Sequence, residues 1–139
     1  MALIYKFPIQ TELVQTGQVY EYTIGVTDSQ SYLNSLYPSL EEMGEPRALF
    51  IPKFKLSKVH PKKGLKMGKI IFIHSALDDE TLMHESLHAA FHLFRVAKDR
   101  FYIDGELDDE EFLAEIQEAV FKAIKNGIHS CRHNAPDKL

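Results

Sequence analysis

The sequence predicts an α+β fold in which a small, mostly antiparallel sheet packs on two long helices. Three observations carry this expectation. Segments rich in β-branched and aromatic residues are concentrated in residues 1–75, together with one helical stretch. Two further stretches, residues 78–98 and 107–126, read as long helices. With 139 residues, 45% of them hydrophobic, the chain is long enough to bury one core, so residues 1–139 are read as a single domain.

The elements follow in order. Leu3-Ile4-Tyr5-Lys6-Phe7 is strand-like, Thr16-Gly17-Gln18 supplies a turn, and residues 19–26 are β-branched and aromatic with partial alternation. Residues 29–43 place Tyr32, Leu33, Leu36 and Leu40 at helical spacing. Pro38 interrupts that pattern and Gly44 and Pro46 stop it, which predicts a kinked helix or two short ones. Residues 49–59 return to strand character, with Phe50, Pro52, Phe54 and Leu56 alternating against lysines. Residues 60–68 read as a turn or loop, and the nearly continuous apolar run from Lys69 to His74 as a strand. Asp78 and Asp79 are good N-caps for the helix over 78–98. Asp104, Gly105 and Asp108 lead into the helix over 107–126, Asn126-Gly127 ends it, and residues 127–139 form a polar, loosely ordered tail.

Composition narrows the function classes. The one cysteine, Cys131, excludes an intramolecular disulfide framework and a thiolate-rich metal site, so metal ligands must be histidines and carboxylates. A net charge of −4 argues against nucleic acid as the main partner. No long apolar run offers a membrane span, and the amino terminus lacks the pattern of a secretory signal, which together predict a cytoplasmic protein. Lysines 53, 55, 58, 62, 63, 66 and 69 crowd one segment, either as a solvated edge that resists strand pairing or as a docking patch for an acidic partner.

The chemistry concentrates in His84-Glu85-Ser86-Leu87-His88. On a helix, His84 and His88 lie one turn apart and about 40° around the axis, so both imidazoles can converge on one ion. Glu85 points about 100° from His84, beside the ion, where its carboxylate can take a proton from the attacking water. Met83, Leu87, Ala90, Phe94 and Ala97 form an apolar stripe expected to face the core. A zinc site of this kind needs a third protein ligand. His92 continues the row, but at about 12 Å along the axis from His84 it is too far to share the ion, which leaves it a supporting or surface role. The next helix offers Glu110, Glu111, Glu115 and Glu118.

His84-Glu85-x-x-His88 followed by glutamates on the next helix resembles the zincin metallopeptidases, specifically the gluzincin pattern. The stretch from His84 to Gln117 is similar to small phage- and prophage-encoded proteins with the same two-helix arrangement, and the likeness does not extend to the first 65 residues. It implies a zincin-like fold and one zinc ion per chain held by His84, His88 and Glu111, with Glu115 four residues on to steady a ligand histidine. Asp108-x-x-Glu111 also reads as a capping pair, so Glu110 and Glu115 stay open as ligands. It further implies hydrolysis of a peptide or protein substrate with Glu85 as general base, the substrate extended along a sheet edge for which the run from Lys69 to His74 is the candidate. Tyr102 is a candidate for stabilising the oxyanion and His74 for facing the cleft.

Two other readings stand beside this one. The same residues also fit a zinc-binding regulatory or interaction protein that cleaves nothing, of the phage-encoded kind that the resemblance suggests, or a hydrolase of a non-peptide amide. His129, Cys131 and His133 alternate near the carboxyl terminus, but a polar tail gives them no frame for a second metal site. The oligomeric state is not legible in the sequence.

Overall fold

The computed structural model describes residues 3–13, 17–36, 47–53, 64–101 and 109–134. The order of elements is β1 (Leu3–Leu13), β2 (Gln18–Thr27), α1 (Gln30–Leu36), β3 (Ala48–Pro52), β4 (Leu65–Ile73), a single 3-10 turn (His74–Ala76), α2 (Asp79–Phe101) and α3 (Asp109–Asn134). The architecture is α+β, as the sequence predicts. Among the described residues, no helix is long and apolar enough to cross a membrane.

The four strands lie in the order β1-β2-β4-β3. The outer pairs, β1 with β2 and β3 with β4, are antiparallel, whereas β2 and β4 pair in parallel at the centre. A parallel neighbour requires a crossover, and the chain makes it by leaving β2 through α1 and laying β3 at the edge before β4 returns between them. The near-continuous apolar character of β4 follows from this position, because Ile70, Ile71, Phe72 and Ile73 are buried on both faces of the sheet.

That placement corrects one expectation. The run 69–74 was a candidate for strand addition, yet β4 is paired on both sides, and the edge next to it is β3. A second correction concerns residues 65–68, which read as loop but belong to β4. Gly68 marks a bulge and not a turn. The register shifts between Glu21 and Tyr22 at this point, Gly68 has φ 147°, and a Cβ there would sit 2.3 Å from the Ile51 carbonyl oxygen.

One face of the sheet carries the main core, where Tyr20, Tyr22, Ile24, Met67, Ile70 and Phe72 meet α2 and α3. The opposite face is covered at one end by α1, through Leu33 packed with Ile71, Ile73 and Ala76. The other end of that face carries Gln10, Glu21, Lys66 and Lys69; Gln10 donates to Glu21 at 2.9 Å, and Lys66 is ion-paired with the same carboxylate.

Asp78 caps α2 as its position predicts, its Oδ1 accepting from the Thr81 amide at 2.8 Å. The buried face of α2 matches the predicted stripe only in part, with Phe94 packed against the core. Ala90 and Ala97 are buried, but Met83 and Leu87 are 50% and 37% exposed, and the core side is built from Leu82, Ser86, Ala89 and Leu93. Ser86 is accommodated on this side by donating its hydroxyl to the Leu82 carbonyl at 2.7 Å.

The predicted stop of α3 at Asn126-Gly127 is also overturned, since the helix runs on to Asn134 through what read as a loose tail; residues 135–139 lie outside the described residues. The apolar period continues through the glycine: Phe112, Ile116, Val120, Ile124 and Ile128 are all buried. Gly127 has a packing role, as a Cβ there would lie 2.1 Å from Phe7 Cε2.

Candidate metal centre

The N-terminal half of α2 lies beside the edge strand β3, and the two elements line an open cleft of about 280 Å³ with Arg47, Ala48, Glu80, Thr81, His84 and Glu85 on its walls. Arg47 is ion-paired with the capping Asp78, which ties the start of β3 to the start of α2. Thr81 is buried in this wall and hydrogen-bonded to the capping Asp78.

His84 and His88 project from the exposed side of α2, and their Nε2 atoms lie 3.2 Å apart. Two nitrogens each bound to one tetrahedral zinc ion would sit about 3.3 Å apart, so the pair is spaced as two ligands of one ion. Phe50 of β3 stacks on the His88 ring, with centroids 6.0 Å apart and planes inclined by 14°. Burial, and next the neighbouring His84, hold His88 below the usual histidine range, which keeps it neutral with a lone pair to offer.

Glu85 is 6% exposed, and its Oε2 lies 3.7 Å from His84 Nε2. Burial raises its carboxyl above the ordinary value against the opposing pull of His84, giving a stronger base than a solvated glutamate. His84, Glu85 and His88 bring their ligand atoms within 4.8 Å of one another, and they are the one group of three or more potential ligands gathered among the described residues. The donor set, two imidazoles and a carboxylate, fits zinc.

Glu111 and Glu115 do not join this group. The reason is the flank on which α3 packs. Asp79 meets Lys125, the Met83 carbonyl accepts from Gln117 and Phe94 packs edge-on with Phe112, so α3 lies along the Asp79, Met83 and Phe94 side of α2. His84 is turned about 100° from Met83, and His88 about 120° from Phe94, toward β3. On α3 itself, Glu111 and Glu118 are exposed, and Glu115 lines a hollow with Thr11, Glu12 and Leu13 of β1. Glu110 falls seven residues before Gln117 and so shares its side of the helix, the one nearer α2.

His92 is held away from the His84, Glu85 and His88 group. The Tyr22 hydroxyl donates to the Ala89 carbonyl at 3.2 Å, which leaves its lone pairs to accept from His92 Nδ1 at 2.9 Å. Burial keeps the Tyr22 phenol protonated far above its ordinary range. His74 is exposed at the start of the 3-10 turn, edge-on to Tyr5 at 6.3 Å, and does not enter the cleft. Tyr102 lies outside the described residues, as do four of the segment's lysines, at 55, 58, 62 and 63. His129 and His133 have the helical frame that the sequence withheld from them, with rings 4.2 Å apart on α3, but no third ligand joins them among the described residues.

Sequence reasoning missed Phe50, Arg47 and Thr81. Phe50 carried a signal in the alternation of residues 50–56, which sets it on the same face as the helices. No family model, no characterised protein and no solved structure matches the chain.

Proposed function

We propose that the protein is a zinc-dependent peptidase whose centre is His84, Glu85 and His88. The observation that carries the reading is the convergence of the two Nε2 atoms at 3.2 Å beside a buried carboxylate of raised basicity. Zinc bound there would polarise a substrate carbonyl and make a water molecule easier to deprotonate. Glu85 then accepts the water's proton and delivers it to the leaving amine, a transfer that suits a carboxyl raised toward neutrality. The gluzincin resemblance would draw the third ligand from the glutamates of α3, which stand apart from the His84, Glu85 and His88 group; loss of metal from a Glu110, Glu111 or Glu115 alanine variant would identify it.

The edge strand β3 provides the substrate's seat. The Arg47 carbonyl accepts from Ile73, and the Lys53 amide donates to Met67, so the odd positions face β4 and the backbone groups of Ala48 and Phe50 face outward above the cleft. Pro52 falls at an outward position, where its missing N–H leaves the sheet ladder intact. An extended peptide pairing with Ala48 and Phe50 would pass beside His84 and His88.

One observation favours a second reading. Because Glu85 is itself within ligand reach of the histidines and the α3 glutamates are not, Glu85 could be the third ligand of a zinc site that binds and does not cleave. Glu85→Gln separates the two. Under the peptidase reading, zinc content stays near one per chain and turnover of a peptide library is lost. Loss of zinc from Glu85→Gln would establish the binding reading and remove Glu85 as base.

A further inference from the structure

We infer that the lysine-bearing face of the sheet at the β3 edge selects an acidic extended peptide, with glutamate or aspartate at alternate positions of the strand that β3 receives. This rests on the proposed seating of a peptide along β3 and names the substrate class of that site.

Strands present their side chains alternately to the two faces of a sheet. In β3, Ala48 and Phe50 face the helices: Ala48 lines the metal cleft, and Phe50 meets His88. Leu49 and Ile51 therefore point to the opposite face. There Ile51, Pro52, Lys53, Thr23, Lys66, Gly68 and Lys69 enclose a shallow groove of about 480 Å³. Its floor is apolar and small, built around Gly68, while Lys53, Lys66 and Lys69 stand exposed around it.

The charges around the groove are not balanced. Lys66 is ion-paired with Glu21, which also accepts from Gln10, so that carboxylate is occupied. Lys53 and Lys69 have no acidic partner among the described residues. Lys69 is the cross-strand partner of Ile51.

A strand added to β3 would lie about 5 Å beyond it and about 10 Å from β4. A lysine and a glutamate side chain together span that distance. Every second side chain of the added strand would project onto the lysine face, and the intervening ones would project toward the metal cleft. Two unpaired ammonium groups over an apolar floor complement carboxylates, and they disfavour basic side chains at the same positions.

The test uses the Glu85→Gln full-length protein, so that binding is read without turnover. Fluorescence anisotropy compares a labelled peptide of alternating valine and glutamate with the same peptide carrying glutamine. The glutamate peptide should bind about tenfold tighter at low salt, with the gap closing at about 0.5 M salt. Lys53→Gln with Lys69→Gln should remove the preference while circular dichroism and zinc content stay unchanged. Equal binding of the two peptides, or a preference that survives the lysine changes, overturns the inference. So does single-stranded DNA competing more tightly than the peptide, or lysine-dependent self-association without peptide binding. Acidic preference in a protein that holds no zinc would defeat the peptidase reading alone, and hydrolysis without acidic preference would defeat only this inference.

Discussion

Replacing Gly127 with alanine tests the packing of α3 on β1, and its outcome depends on one aromatic ring. In an open helix interior the change stabilises by about 1 kcal/mol, because alanine loses less backbone freedom. Here the new Cβ would sit 2.1 Å from Phe7 Cε2 and 2.6 Å from Cδ2, distances that force the ring or the helix to move. Overpacking of that kind costs about 1–3 kcal/mol. The two effects combine to a net loss of roughly 0–2 kcal/mol in the wild-type background.

Phe7→Ala removes the atoms that clash, so Gly127→Ala on top of it should become stabilising by up to about 1 kcal/mol. The sign therefore reverses between backgrounds, with a coupling of about 1–3 kcal/mol across the cycle. Urea melts of the four proteins measure it, provided their slopes agree. If Gly127→Ala stabilises the wild type as much as it stabilises Phe7→Ala, the glycine serves no close approach and the helix does not pack on β1 as described.

Two further outcomes follow from the site and the open sheet face. Zinc at about 100 times its Kd should add about 2.7 kcal/mol to the stability of the wild type, a rise of roughly 10 °C in Tm, and His84→Ala or His88→Ala should abolish the rise in a thermal melt. For Glu21, burial raises the carboxyl, but hydrogen bonds from Lys66 and Gln10 and the charge of Lys66 outweigh it and hold the group below 4.5. Its stabilising contribution is thus present above the unfolded value and lost as pH falls through the lower folded one. The stability gap between wild type and Glu21→Gln should be widest near neutral pH and close in acid, as read by denaturant melts across pH; a gap that widens in acid would contradict the assignment.

Much of the fold was legible because local signals agreed with the packing. The Asp78 cap, the apolar run of β4 and the two helices each stand where residue type and spacing place them. The motif was legible for the same reason: its two histidines are one helical turn apart, and any helix through them brings their rings together. What failed was decided by distant contacts. Gly127 and Gly68 read as a stop and a turn because nothing local reveals a phenylalanine ring or a carbonyl at their backbone. The packing of α3 was not legible either, since the flank on which it meets α2 is set by pairs such as Phe94 with Phe112, which spacing alone does not reveal.

The face of α2 that reaches the core bears on function as well. Turning the helix to bury Met83, Leu87 and Phe91, now 50%, 37% and 43% exposed, would move large apolar groups from water and carry Glu85 toward solvent. The observed orientation does the reverse and buries a carboxylate against its preference for water. A group whose folded pKa is raised costs stability at pH values above that pKa, and the cost disappears below the unfolded value. In metal-free protein, Glu85→Gln should therefore stabilise the fold at neutral pH, by about 0.5–2 kcal/mol if Glu85 follows other residues that trade stability for function. The gain should vanish as pH falls below the ordinary carboxyl range. Denaturant melts of the two metal-free proteins at neutral and acid pH decide the matter. A destabilised Glu85→Gln would mean that the carboxylate is held by contacts worth more than its desolvation, and that its burial reflects structure in place of chemistry.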